Sequence, residues 1–294
     1  MLLIDYILLV TLSAIWGSSF IFMRILAPAL GPVATADMRM LIAGLTLAVF
    51  MRFTGRTMEW KRNRKHYISI GLLNSGIPFL LFSYAALHLP ASISVIINSL
   101  TPLFAAVGAV IWLNEKFTLK LLAGLLLGII GVAVIRSGGT VQLDAMGTIS
   151  ILMCVVATMF YGAGGVYLKL NTKDIGPLAI SAGSQLSVGV LFLPLIALAP
   201  APTDLSVHIV ITMIAFAVLC SAVAYIIYYR LMKILGPTKA ATVTFLIPVF
   251  GFIWGALFLN ESITAAMAAG GLIVLSSLYF VMGKKKIPKT EIRE

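Results

Sequence analysis

The sequence predicts an all-α integral membrane protein with ten transmembrane helices, arranged as two inverted five-helix repeats. Three observations lead there. The 294 residues are 61% hydrophobic and only 11% charged, with a mean hydropathy of +1.07. Soluble domains carry about 25% charged residues, so a water-facing surface cannot be built from this chain. Apolar runs long enough to span a bilayer, about 20 residues for about 30 Å of hydrocarbon, occur ten times. Finally, one phrase is written twice: LTPLFAAVGAVIWLNEKFT at 100–118 and LIPVFGFIWGALFLNESIT at 246–264.

Taken in order, the expected spans are 5–24, 33–52, 67–87, 90–113, 118–136, 146–168, 176–198, 207–229, 236–259 and 263–282. The first run, 6–23, lacks the basic leader and small-residue cleavage site of a signal peptide, and reads as a retained helix. Gly31-Pro32, Pro90, Gly176-Pro177, Pro200 and Gly236-Pro237 punctuate the short connections. The sizeable polar segments are 52–66, read as an orienting loop, and a basic tail over 283–294. Cys154 and Cys220 lie inside apolar runs without partners at ligand spacing, and read as small core residues.

The net charge of +11 is distributed unevenly. With the N-terminus inside, 18 of the 21 basic residues fall in inner loops or the tail. Arg24 and Arg136 fall outside, and Arg39 lies within helix two. The positive-inside rule therefore places both termini in the cytoplasm. Basic residues gathered in loops, without an interleaved aromatic face, exclude a nucleic-acid surface.

Sliding the first phrase by 146 positions puts Pro102 on Pro248, Asn114 on Asn260, Glu115 on Glu261 and Thr118 on Thr264. Over 111–118 against 257–264, four of eight residues are identical, which argues for duplication. Trp16-Gly17 matches Tyr161-Gly162 and Arg24 matches Lys169 at an offset of 145. Each unit holds an odd number of helices, so the second enters the membrane upside down. Repeat one is expected over 5–137 and repeat two over 146–282. That layout is common among secondary transporters, which hold substrate near the midplane between the halves.

The run AIWGSSF at 14–20, Arg39 in helix two, the Pro102 and Pro248 helices and the Leu-Asn-Glu stops together resemble the drug/metabolite transporter superfamily, specifically its ten-helix EamA type. The resemblance covers essentially the whole chain. It implies two EamA repeats and export of small metabolites or amino acids across the cell membrane.

Polar residues inside apolar helices supply the candidate site. Pro102 and Pro248 remove a backbone donor and break or kink their helices. Asn98 and Thr244 precede them by four residues, on the same face. Asn74 and Pro78 share a face of helix three. Ser13 and Trp16 in helix one, Tyr161 in helix six, Gln185 in helix seven, and Ser221 and Tyr225 in helix eight complete the polar set. Packing alone also accounts for small residues beside the prolines. Arg39 reads either as a contact for a substrate carboxylate at the outer mouth or as a side chain snorkelling to the interface. Asp37, about 200° around the helix from Arg39, reads as complementing the N-terminus of helix two. Glu115 and Glu261 read as caps for the helices that follow them.

These residues suit a small neutral or zwitterionic metabolite, such as an amino acid, moved by alternating access. A sugar phosphate or nucleotide sugar is the alternative, but a dianion calls for several buried cations. A membrane enzyme would need clustered His, Asp or Glu, and His66, His88 and His208 are scattered. No metal site, cofactor or ATPase motif is expected. With no carboxylate at mid-membrane, the sequence points to uniport or a weakly proton-linked exchange.

Overall fold

The computed structural model describes residues 3–137, 145–235 and 243–282. Those residues form ten helical rods. In chain order they are α1 (Leu3–Leu30), α2 (Pro32–Phe53), α3 (Trp60–Ala85), α4 (Ala91–Leu113), α5 (Leu119–Ser137), α6 (Ala145–Asn171), α7 (Pro177–Leu198), α8 (Val207–Leu235), α9 (Val243–Leu259) and α10 (Ala265–Met282). The first eight are long and apolar enough to cross a membrane, and α9 and α10 are shorter apolar helices. Leu45, Val49, Leu126, Ile129, Val190, Ile211 and Leu272 stay exposed on the outside of the bundle, where hydrocarbon rather than water suits them. The expected start of helix nine at 236, and the basic tail 283–294, lie outside the described residues.

The helix contacts obey a two-fold exchange. Contact of α1 with α9 is matched by α6 with α4, α3 with α6 by α8 with α1, and α3 with α7 by α8 with α2. The pairs α2–α7 and α5–α10 map onto themselves, so they lie on the axis. Glycines make the closest approaches reciprocal. A Cβ at Gly44 would lie 2.8 Å from Leu186, and one at Gly189 would lie 2.7 Å from Leu41. A Cβ at Gly17 would meet Phe250 at 2.9 Å, and one at Gly162 would meet the Ala105 nitrogen at 2.7 Å. Helices without a hydrophobic drive to associate in lipid gain by such backbone proximity. The register of α2 and α7 is therefore 145, which pairs Arg39 with Ser184 rather than with its neighbour Gln185.

Several boundaries differ from the sequence expectation for local reasons. α1 runs on to Leu30 and stops at Gly31, whose φ of 83° no other residue adopts cheaply. Arg24 is consequently inside α1, not in a loop, and Arg136 is in the last turn of α5. Half of the segment read as a loop, from Trp60 onward, is helical. Its Asn63 and Tyr67 turn inward while Lys61, Arg62, Arg64 and Lys65 stay exposed, and the Tyr67 hydroxyl donates to the Met58 carbonyl. That amphipathic turn looks like a polar loop in composition alone.

The duplicated Leu-Asn-Glu phrase is a helix stop and restart. Asn114 and Asn260 take left-handed φ values of 53° and 51°, a conformation asparagine tolerates. The next amides, of Glu115 and Glu261, bond back to the carbonyls of Ala109 and Gly255 at 3.2 and 3.1 Å. Thr118 and Thr264 then cap the new helices, accepting from the amides of Leu121 and Met267 at 3.2 Å each. Glu261 does not cap its own following helix. Glu261 reaches α4 instead, accepting from the amides of Ala91 and Ser92 at 2.6 and 3.0 Å and from the Ser92 hydroxyl. Glu115 lies 3.8 Å from Lys169.

Gly162 is packed against backbone, whereas nothing lies within 4 Å of a Cβ at Gly165. Gly162→Ala is expected to destabilise the bundle by about 1–3 kcal/mol through overpacking. A lowered melting midpoint in detergent, with Gly165→Ala unchanged, is the checking measurement.

Candidate functional site

The cavity between the repeats is built from helix interruptions. A proline cannot donate to the carbonyl four residues earlier, so that carbonyl and its neighbours are freed. The pattern of an amide or hydroxyl residue four before a proline occurs at Asn74–Pro78, Asn98–Pro102 and Thr244–Pro248. All three polar members line one cavity of about 310 Å³. Before Pro78, α3 widens into a π turn over Leu72–Gly76. Before Pro102, α4 breaks between Asn98 and Thr101, and the Thr101 hydroxyl donates to the Asn98 carbonyl at 2.8 Å. α9 continues through Pro248 without a break, so the break itself is confined to the first copy. A π turn also interrupts α8 over Val218–Val223, 146 residues after that in α3.

One cation faces this space. Arg39 is buried, and its Nε donates to the Ser221 hydroxyl, itself on the α8 π turn, at 3.0 Å. Its guanidinium lies 3.8 Å from the Phe79 ring centroid and 4.5 Å from that of Phe216. Such contacts contribute about 0.5–2 kcal/mol each, too little to replace the hydration of a buried charge. The ion pairs of the described residues, Arg62–Glu59 and Lys169–Glu115, involve neither Arg39 nor Asp37. Arg39 is buried in the cavity wall instead of reaching out to the bundle surface.

Aromatic rings close the rest. Trp16 packs against Tyr225 and Tyr228 at centroid separations of 6.2 and 5.2 Å. Phe82 stacks on Tyr161 at 6.2 Å and meets Phe20 edge-on at 5.3 Å. Cys220 also borders the cavity, with its thiol directed to the Ile15 carbonyl at 3.3 Å. The chamber thus has, among the described residues, an apolar aromatic body, an amide-rich rim and a single positive charge. Among the described residues no group of three or more His, Cys, Asp or Glu could hold a metal ion.

Of the thirteen residues singled out from sequence, Trp16, Arg39, Asn74, Asn98, Pro102, Tyr161, Tyr225 and Thr244 line this cavity, and Ser221 holds Arg39 at its wall. The other four do neither. Ser13 bonds to the Leu9 and Val243 carbonyls at 2.8 and 3.3 Å, tying α1 to α9. Gln185 donates to the Ser181 carbonyl at 3.4 Å within its own helix. Pro78 and Pro248 lie one turn from the lining Asn74 and Thr244, to whose carbonyls they can give no backbone donor. Sequence reasoning missed Phe20, Met23, Phe79, Phe82, Ser19 and Tyr228. Phe20 and Met23 follow Trp16 by four and seven residues, so extending its helical face would have found them.

Asp37 also departs from expectation. α2 is preceded by Gly31 with no side-chain cap, and neither Asp37 oxygen has a hydrogen-bond partner. It does not serve the helix N-terminus.

Two inverted helical repeats enclosing a substrate-sized chamber define a membrane transporter. Comparison with known proteins gives the family. The EamA-like transporter family matches residues 3–137 and 148–283, and the chain belongs to it. An uncharacterized transporter of Bacillus subtilis, YvbV, is 25% identical over 96% of this chain and 93% of its own. The protein PecM of Dickeya dadantii is 24% identical over 91% and 88%, respectively. An uncharacterized inner membrane transporter of Escherichia coli, YedA, is 25% identical over 95% and 91%. A crystal structure shares the fold at a TM-score of 0.63 and 14% identity, covering 94% of this chain and 95% of its own. The protein is therefore a multi-pass membrane transporter and not an enzyme.

Pro102→Ala restores the backbone donor to the Asn98 carbonyl, whose place the Thr101 hydroxyl takes here. It is expected to raise the melting midpoint, by up to about 3 kcal/mol of helix stability, while lowering transport as the α4 break closes. Wild-type transport by this variant would show that the break is not needed.

Proposed function

We propose that the protein is a secondary transporter that exports a small neutral or zwitterionic metabolite, such as an amino acid, by alternating access. The observation that carries this reading is Arg39: a buried guanidinium, without a carboxylate partner, in the wall of an aromatic chamber. A bound carboxylate would supply the missing counter-charge, in a charge-assisted and bidentate geometry that suits arginine. Trp16, Tyr161, Tyr225 and Tyr228 offer faces for an apolar side chain or an ammonium group. Asn74, Asn98 and Thr244 supply neutral hydrogen bonds. A volume of about 310 Å³ equals about ten waters and sits at the small end of ligand pockets.

A sugar phosphate or nucleotide sugar fits less well. Arg39 is the one cationic residue among the described residues lining the chamber, and a dianion would need more. The basic residues favour both termini in the cytoplasm, with the α1–α2, α3–α4 and α9–α10 turns outside. A bacterial relative named as an inner membrane transporter agrees with residence in the cell membrane.

The test is efflux and exchange of a labelled amino-acid panel in proteoliposomes, with sugar phosphates as the contrasting set. Arg39→Ala is expected to weaken affinity for the active substrate by about 10- to 100-fold, the worth of a charge-assisted hydrogen bond. Asn98→Ala is expected to weaken it less. Unaltered affinity in both variants, or preference for phosphorylated sugars, would overturn this reading.

A further inference from the structure

Apart from Asp5 in the first turn of α1, Asp37 is the only acidic residue within the ten described helices. It lies on the face of α2 that meets α7. Four and seven residues further along that face, Leu41 and Gly44 pack on Gly189 and Leu186. The side chain is 0% exposed, and both carboxylate oxygens are buried without a hydrogen-bond partner. Asp37 is absent from the cavity wall, so the substrate contacts described above do not use it.

Among the described residues, nothing around it compensates a negative charge. α7 contributes no ionisable side chain between Pro177 and Leu198. On α1, Arg24 donates to the Ala86 carbonyl, and Asp5 and Tyr6 lie near the opposite end. Beyond the π turn, α3 offers Tyr84 over Ile77–Ala85. The parts of α8 against α2 bring His208 and Cys220, and Cys220 is directed to Ile15. Arg39, on α2 itself, is about 200° away and held by Ser221, Phe79 and Phe216. An ionised carboxylate with neither cation nor donor is the costliest group a protein interior can hold, and the protonated form avoids most of that cost.

We propose that Asp37 is the proton-binding site of this transporter, protonated while the α2–α7 seam is closed as here and ionised when the seam parts and admits water. The proposal rests on the alternating-access reading above. The seam lies on the two-fold axis between the repeats, where rocking of one against the other changes contacts. Binding of a proton to the closed seam stabilises it, so acid favours the closed state and alkali the parted one. One site shifts the ratio of the two states by at most about tenfold per pH unit. This revises the uniport expectation, which assumed no carboxylate at membrane depth.

Three measurements test it, two of which need no substrate. Infrared difference spectra of the protein in lipid nanodiscs, taken between acidic and alkaline buffer, are expected to show a protonated carboxylic-acid band that Asp37→Asn removes. Asp37→Cys, in a background with Cys154 and Cys220 replaced by alanine, is expected to react with a water-soluble maleimide as the seam opens. Wild-type exchange of the active labelled amino acid is expected to vary with pH, whereas Asp37→Asn exchanges it at a rate independent of pH. Asp37→Leu, whose apolar side chain suits the dry seam, carries the same readouts should Asp37→Asn aggregate. An infrared band that survives the substitution, an Asp37→Cys variant that the maleimide never labels, or a wild-type pH profile in the variants would each overturn the proposal. A panel without any transported amino acid would sink the substrate reading and leave the first two measurements standing.

Discussion

The structure depends on one lock, the reciprocal fit of Gly44 under Leu186 and Gly189 under Leu41. In lipid, burying apolar side chains against each other gives little, because the hydrocarbon outside is equally apolar. What remains is close van der Waals approach, and a glycine allows a neighbouring side chain to reach the backbone. Using the same pair twice, once from each repeat, fixes α2 and α7 on the axis. Gly17 and Gly162 then set α1 on α9 and α6 on α4 by the same rule. With those distances fixed, the space on one side of α2 remains open, and Arg39 projects into it. The opposite side is closed, and Asp37 is sealed there.

The second constraint is the backbone itself. Away from water every amide and carbonyl needs a partner, and a helix supplies its own. Where a proline or π turn interrupts that supply, the unsatisfied groups must face something polar. In this chain those interruptions converge on the chamber, and each brings an asparagine, threonine or serine with it. The polar lining is thus a product of the same local breaks that create the room. Arg39 needs such surroundings too: the Ser221 hydroxyl that holds it belongs to the α8 π turn.

Much of this is legible in the sequence because membrane physics writes in long strokes. Ten apolar runs, an odd-numbered repeat and the prolines four residues after Asn74, Asn98 and Thr244 leave marks that composition and spacing can read. Arg39 stands out because a charge in an apolar helix demands a reason. Other features are illegible for reasons equally physical. Ser13 looks like a lining residue, yet a polar side chain can be satisfied by helix carbonyls, and Gln185 turns its amide N–H the same way, to Ser181. Phe79 and Phe82 escape notice because a phenylalanine in a membrane helix looks the same whether it faces lipid or ligand. The turn from Trp60 to His66 reads as a loop because its exposed face outweighs its buried one in charge. Glu261 reads as serving its neighbouring helix because no local pattern reveals a partner 170 residues away.

That glutamate has a further consequence. It closes one end of the bundle by holding the first amides of α4, at Ala91 and Ser92. Under the duplication, Ala91 corresponds to Pro237, which has no amide hydrogen to give. The clamp therefore cannot be reproduced in full by Glu115 at the other end. Two halves that share an ancestor and a shape have been made unequal in chemistry. A perfectly symmetric machine would rest equally on both sides of its cycle, like a balanced two-way switch; clamps of unequal strength would bias it toward one side. Such a bias leaves the final distribution of cargo untouched, which gradients alone decide, but it sets where an empty carrier waits and hence which side is served first.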